Sequence, residues 1–191
     1  MKADNFPKWF EDNNTRGDFE SMLKEYKGKK NLRFLQIGIF TGNASRWLFE
    51  NILTDSSSVL VDVDPWCGNV QHEVYDWAEI ASAYKEQLSP YSSRLKTYTM
   101  FSKEFFEQGK EKDFDFIYID GDHSPEAVAI DAAGAWNILK PGGIISFDDY
   151  EWDHPAGIEF NPKPAIDKWL AEHKDDIEIL RVGWQVWIRK K

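Results

Sequence analysis

Short apolar runs that alternate with stretches of helical spacing limit this chain to few folds. Leu32 to Ile37 reads as a buried strand, a glycine-containing turn follows, and Ala44, Trp47, Leu48 and Ile52 then recur at helical spacing. Val59 to Val63 is a second strand. Val74, Trp77, Ala81, Tyr84 and Leu88 mark an amphipathic helix that Ser89-Pro90 breaks. Leu95 to Met100 alternates as a third strand, with a short helix around Phe105 and Phe106. Phe114 to Ile119 is almost continuously apolar, as in a strand covered on both faces. Ser124 supplies an N-cap and Pro125 the first helical position, and this helix is expected to run through Val128, Ala132, Ala135 and Leu139 until Pro141-Gly142-Gly143 stops it. Gly143 to Phe147 makes strand five. Ile166, Trp169 and Leu170 mark a helix after Asn161-Pro162-Lys163-Pro164, and Ile177 to Val182 with Trp184 to Ile188 read as an antiparallel hairpin around Gly183. The expected fold is α/β: a doubly wound, seven-stranded, mainly parallel sheet closed by a C-terminal antiparallel hairpin. Such sheets bind ligands outside the carboxyl ends of their strands.

A length of 191 residues suits one domain, over residues 31–191, with residues 1–30 as a helical lead-in of one or two helices that either cover the sheet or form a lid. Nine Trp and an aromatic content of 15% supply ample core. Cys67 stands alone, which excludes an intrachain disulfide and a thiol-held zinc and suits a reducing compartment. No apolar leader segment or membrane-length stretch is visible, so a cytoplasmic location without membrane contact is expected. The formal net charge of −10 opposes nucleic acid, whose affinity comes largely from Lys and Arg replacing condensed counterions, and favours a small-molecule partner. Lys24, Lys27, Lys29 and Lys30, and the terminal Arg189-Lys190-Lys191, read as solvated surface. A homodimer is compatible with all of this, and the sequence does not fix the oligomeric state.

Three groups of residues carry chemistry. Gly38, Phe40 and Gly42 lie in Gln36-Ile37-Gly38-Ile39-Phe40-Thr41-Gly42-Asn43, where a buried strand turns into a helix and glycine lets backbone and ligand approach. The dinucleotide fingerprint needs glycine where Phe40 stands, so a cofactor without a pyrophosphate fits better. The helix start offers unpaired N–H groups and a dipole end favourable to a carboxylate. Asp62 closes strand two, at the distance from the glycine turn where a carboxylate can accept bonds from ribose hydroxyls. Reading Val61-Asp62-Val63-Asp64 as a phosphoryl-transfer Asp-x-Asp is disfavoured by Pro65-Trp66, and Asp64 also suits a turn cap. Asp120-Gly121-Asp122-His123 follows strand four and Asp148-Asp149 follows strand five, so a right-handed crossover brings both to one sheet edge. Like charges about 4 Å apart repel by about 4 kcal/mol at an effective dielectric of 20, so clustered carboxylates call for a cation or a retained proton. All-oxygen ligation suits Mg²⁺, with Mn²⁺ or Ca²⁺ as substitutes; the plainer alternative is that some of these acids cap helices or pair with lysines.

Over roughly residues 32–150 these motifs, together with Leu139-Lys140-Pro141-Gly142-Gly143, resemble the class I S-adenosylmethionine-dependent methyltransferases, within them the branch related to macrocin O-methyltransferase and other sugar O-methyltransferases. The resemblance implies a Rossmann-like three-layer sandwich. It also implies that Gly38 and its turn, Phe40 and Gly42 included, hold the methionine part of S-adenosylmethionine, that Asp62 holds the ribose, and that Phe101 and Ser102 flank the adenine. Asp120, Asp148 and Asp149 would hold Mg²⁺ with Asp122 as general base; catechol O-methyltransferase is similar at the metal site and places its base one residue further on, here His123. Gln36 stands where many relatives carry an acid, and residues after 150 resemble nothing specific. The expected function is metal-assisted O-methylation of a small hydroxylated molecule, sugar or catechol-like. The rivals are a non-catalytic adenosyl-binding domain, opposed by the acidic triad, and a nicotinamide-dependent oxidoreductase, opposed by Phe40 and by the absence of a Tyr-x-x-x-Lys pair.

Overall fold

A computed structural model of the chain describes residues 3–11, 14–68, 75–153, 157 and 161–191. Five strands form the parallel part of the sheet: β1 (Arg33–Ile37), β2 (Val59–Val63), β3 (Leu95–Tyr98), β4 (Phe114–Ile119) and β5 (Leu139–Phe147). Two more, β6 (Ile177–Val182) and β7 (Val186–Lys190), make the antiparallel hairpin, and the strand order is β3-β2-β1-β4-β5-β7-β6. The fold is the expected Rossmann-like one. Order reverses between β1 and β4, the position at which doubly wound sheets open a crevice at their carboxyl ends.

Strand parity distributes the core over two faces. Phe34, Leu60, Phe116, Tyr118 and Ile144 point to one face and meet α1 (Thr15–Met22), α2 (Asn43–Asn51) and α3 (Trp77–Leu88). Leu35, Val61, Ile117, Ile119, Ile145 and Phe147 point to the other and meet α4 (Ser102–Gln108), α5 (Pro125–Ile138) and α6 (Lys163–Glu172). Both layers are aromatic: on the first, Phe19 of α1 touches Phe116, Tyr118 and Trp187 edge-on and Phe116 stacks on Trp187, and on the second Phe147 meets Trp169. Truncating a buried aromatic of this kind to alanine costs about 3–5 kcal/mol.

Among its described residues the lead-in carries one α-helix, α1, and single 3₁₀ turns at Ala3–Asn5, Trp9–Glu11 and Lys24–Tyr26. Its α1 is tied to the far hairpin by Asp18, whose carboxylate pairs with Arg181 at 3.0 Å. None of the described helices is long and apolar enough to cross a membrane.

Several boundaries differ from the sequence reading. Leu139 is not helical: it leaves α5 at φ −80°, ψ 135° and pairs with Phe114, so β5 starts four residues earlier than Gly143. The residue before a proline is pushed toward extended backbone, and Lys140 stands before Pro141. A register shift between Phe114 and Phe116 absorbs the glycines. β3 stops at Tyr98 rather than Met100, and Trp184 precedes β7 instead of opening it. Val74, expected in the third helical segment, lies outside the described residues; α3 begins at Trp77, where the Asp76 carboxylate accepts the Ala78 and Glu79 N–H groups.

Candidate active site

A cavity of about 770 Å³ opens over the carboxyl ends of β1, β2, β4 and β5 and is lined by the loops that leave them. Its size is within the usual range for sites that take a cofactor or a small substrate. The ladder continues one residue past each strand. Gly38 N–H donates to the Val63 carbonyl (3.0 Å), Asp120 N–H to Ile37 (2.9 Å) and Asp148 N–H to Ile119 (2.9 Å), so the three loop origins are held in register.

The β1–α2 loop is fixed by its neighbours. Gly38 has φ +79°, and a Cβ there would lie 1.8 Å from the Asp120 carbonyl oxygen. Only glycine permits that approach. Phe40 also adopts a left-handed conformation, at φ 54°, which a non-glycine residue holds only where surroundings impose it. They do: the Asp64 carboxylate accepts Ile39 N–H (2.7 Å), Phe40 N–H (3.1 Å) and Trp66 N–H (2.7 Å), and the Trp66 indole N–H returns to the Phe40 carbonyl (2.9 Å). Gly42 caps α2 at φ +83° without a side-chain bond, so the N-terminal N–H groups of α2 receive no side-chain cap, and Asn43 and Ala44 line the cavity there.

Asp62 does not reach this cavity. It is 0% exposed and sits between Ser45 of α2 and Tyr84 of α3, whose hydroxyls donate to its Oδ2 at 2.9 and 3.0 Å. Parity is the reason: residues of β2 two apart share a face, so Asp62 points with Leu60 into the α2–α3 layer. Asp64, past the strand end, is the acid that lines the cavity. Burial pushes Asp62 up to about 7, against the opposing pull of the Ser45 and Tyr84 hydrogen bonds. Gln36 joins the same buried group, 3.1 Å from the Ser45 hydroxyl.

At the other edge, Ile119 pairs with Phe147, so Asp120 and Asp148 end adjacent parallel strands, as their positions in the sequence implied. Asp120, His123 and Asp149 each offer a ligand atom, all within 4.8 Å of one another. His123 Nε2 lies 2.9 Å from Asp149 Oδ2, and the Trp184 indole N–H donates to Asp149 Oδ1 at 3.0 Å. Asp148 stands beside them with both oxygens engaged, one by the Tyr118 hydroxyl and the other by Gln185 Nε2 (3.0 Å) and Asp149 N–H (2.9 Å). Burial, then Asp148 and Asp149, raise Asp120 far above the usual carboxylate range. Burial, then Asp149, push Asp148 up to about 7. Burial disfavours charge on His123, but the Asp149, Asp148 and Asp122 carboxylates outweigh it and raise its pKa. Asp122 is exposed at the cavity wall, with Oδ1 accepting Ser124 N–H at 2.7 Å ahead of α5.

Phe101 projects at the rim, 57% exposed, and Ser102 opens α4; both line the cavity. Pro7, Trp9 and Phe10 of the lead-in line it too, with the Trp9 ring 4.5 Å from Phe40. Sequence reasoning missed Asp131, a buried acid of α5 on the cavity wall whose carboxylate takes a Ser102 hydrogen bond and which burial pushes up to about 7. Its signal was available: a carboxylate one position before Ala132 in a helix whose neighbouring residues are apolar.

No curated protein sequence matches this one. Solved structures do resemble its fold. An O-methyltransferase from Bacillus cereus in complex with SAH aligns with a TM-score of 0.70 at 19% identity, over 99% of this chain and 86% of that one. The O-methyltransferase TomG from Streptomyces achromogenes, involved in tomaymycin synthesis and solved with SAM, aligns with 0.60 at 15%, over 83% and 73%. The MycE methyltransferase of the mycinamycin biosynthetic pathway, in complex with Mg and SAH, aligns with 0.64 at 14%, over 91% of this chain and 49% of that one. The fold is that of the class I, S-adenosylmethionine-dependent methyltransferases. Residues 35–150, more than half of the chain, match the family described as Methyltransferase domain, and the chain belongs to that family.

Proposed function

We propose that the protein transfers the methyl group of S-adenosylmethionine to a hydroxyl of a small molecule, with a divalent cation at the β4–β5 edge. The observation that carries this reading is the convergence of Asp120, His123 and Asp149 beside the loop that Gly38 brings against Asp120. The macrocin-like branch and a sugar or catechol-like acceptor belong to the same proposal, supported by the motifs alone.

The residues present fit both groups. The uncapped start of α2 and the Gly38 loop suit the carboxylate end of a methionine, and Asp64, the acid on the cavity at the β2 end, takes the ribose role expected of Asp62. Phe101 supplies an exposed ring for a base. Crowded acids at the β4–β5 edge suit a hard cation: Asp120 and Asp149 as oxygen ligands, His123 as a third, and Asp148 as the acid that Tyr118 and Gln185 keep in place. When bound, such a cation supplies Lewis-acid polarisation of an acceptor hydroxyl. Asp122 lines the cavity with one oxygen free of the Ser124 bond and accepts the acceptor proton. Trp9, Trp152 and Trp184 exclude water around the acceptor.

Labelled S-adenosylmethionine offered with a panel of sugars, catechols and macrolides is the direct test. Methyl transfer that stops with EDTA and returns with Mg²⁺ supports the scheme; transfer indifferent to chelation removes the cation. Asp122→Asn should slow turnover by about 10²–10⁴-fold with cofactor affinity retained, and a variant as fast as the parent removes Asp122 as base.

A further inference from the structure

β7 runs antiparallel to β5, and Phe147 pairs with Val186. The residues just before β7 therefore face those just after β5, which brings Gln185 to Asp148 and Trp184 to Asp149. The Trp184 indole N–H donates to Asp149 Oδ1 at 3.0 Å, Gln185 Nε2 donates to Asp148 Oδ1 at 3.0 Å, and the Tyr150 N–H donates to the Trp184 carbonyl at 2.9 Å. A third side chain stands behind them: the Trp187 indole N–H donates to Gln185 Oε1 at 3.1 Å. An indole nitrogen is a donor only, so Gln185 turns its oxygen to Trp187 and its amino group to Asp148. Gln185 and Trp187 are fully buried, and the Trp187 ring is fixed between its contacts with Phe116 and Phe19. Turning the amide over would set its amino group against the indole N–H and its oxygen against a carboxylate, with buried polar groups left unpaired.

These bonds decide how the acids stand. With Asp149 Oδ1 taken by Trp184, Oδ2 is the oxygen that lies 2.9 Å from His123 Nε2. Asp148 is held on one oxygen by the Tyr118 hydroxyl and on the other by Gln185 and the Asp149 N–H, and it stays beside the group that Asp120, His123 and Asp149 form. The hairpin that supplies these donors lies outside residues 35–150, the span that matches the methyltransferase family.

We propose that the C-terminal hairpin is a polar clamp on the cation site: Trp184 and Gln185 are positioning residues that set the side chains of Asp149 and Asp148, and Trp187 acts on the site through Gln185. This rests on the reading of the β4–β5 edge as a cation site. Partners that hydrogen-bond and orient the acids of a metal site typically change metal affinity by about 10- to 100-fold when removed. Strand register is what delivers them: a slip of β7 by one residue would carry Gln185 and Trp187 to the opposite face of the sheet.

The test is Mn²⁺ titration of the metal-free full chain and of Trp184→Phe, Gln185→Met, Trp187→Phe and the double variant of Gln185 and Trp187, with circular dichroism and calorimetric binding of S-adenosylhomocysteine as controls. Trp184→Phe and Gln185→Met should each weaken Mn²⁺ binding by about 10- to 100-fold while the fold and the affinity for S-adenosylhomocysteine stay within a few-fold of the parent. Trp187→Phe should weaken Mn²⁺ by a smaller factor, and adding it to Gln185→Met should weaken it no further, the non-additivity expected of residues that act in one chain. If the hairpin merely packs the sheet, Trp184→Phe and Gln185→Met lower the unfolding midpoint and the folded variants bind Mn²⁺ as the parent does, which overturns the proposal. Independent, additive losses from Gln185 and Trp187 overturn the route through Gln185. Should Trp187→Phe fail to fold, Trp184→Phe and Gln185→Met still decide the clamp. A folded parent that binds no Mn²⁺ would instead remove the cation reading itself, and this proposal with it.

Discussion

The two sides of the cavity use carboxylates in opposite ways. At the ends of β1 and β2, Asp64 is a hub for backbone donors: three N–H groups from two loops converge on it and fix the left-handed Phe40. At the ends of β4 and β5, Asp120, Asp148 and Asp149 crowd together, and their mutual repulsion adds to burial in raising Asp120 and Asp148. Asp64 is raised as well, but by burial, with the three N–H groups pulling the other way. One acid thus organises the loop that shapes the cavity; the others crowd together at the edge where the proposed cation would sit. A carboxylate at a strand end is therefore not evidence of binding until its partners are counted.

Gly38 joins the two sides, and its substitution should have the largest effect. Gly38→Ala drives a Cβ to 1.8 Å from the Asp120 carbonyl on a left-handed backbone, which should lower stability by more than about 3 kcal/mol or prevent folding. A urea midpoint within error of the parent would mean that the loops are not packed as described. The next substitution pair separates the sides. Asp64→Asn should destabilise the chain by about 1–3 kcal/mol because it disturbs charged hydrogen bonds to three buried N–H groups. Asp149→Asn should lower cation affinity and activity by about 10- to 100-fold while leaving thermal stability unchanged or raised, since it removes one of the crowded charges. Equal stability losses for the two would erase the contrast.

The smallest effect is on pH dependence. Burial pushes Asp62, Asp131 and Asp148 up to about 7, from the ordinary aspartate value of 3.8. The folded chain therefore holds more protons than the unfolded chain between those limits, so stability is full below about pH 4 as far as these groups go and declines as pH rises through 7. Thermal unfolding without added cation should show a midpoint higher at pH 5 than at pH 8, and Asp62→Asn should flatten the slope. A midpoint that rises over this interval would show that these acids are ionised in the folded chain.

Much of the fold was legible because its strands are short and strongly patterned. Val59–Val63, Phe114–Ile119 and Ile177–Val182 were delimited from the sequence as they occur, since apolar or β-branched runs end at polar or turn residues. Leu139 was misjudged because an apolar residue at helical spacing looks the same whether it closes a helix or opens a strand. The pairing with Phe114 that decides the matter is tertiary. At the site, the convergence of Asp120 with Asp149 followed from topology. Asp62 and Asp64 were harder to separate: both close the same strand, and parity against α2 and α3 sends Asp62 inward. His123 as a neighbour of Asp149, and Trp184 and Gln185 as supports for the β5 acids, depend on a loop and a hairpin that no local pattern connects.

Titration of the metal-free chain with Mn²⁺, followed by the loss of the free-ion electron paramagnetic resonance signal, tests the shared cation site most directly. One ion should bind per chain in competition with Mg²⁺, and the joint substitution of Asp120 and Asp149 by asparagine should abolish it while the fold persists by circular dichroism. Binding of the same strength in that double variant, or none in the parent, would contradict the assignment of the β4–β5 edge as a cation site.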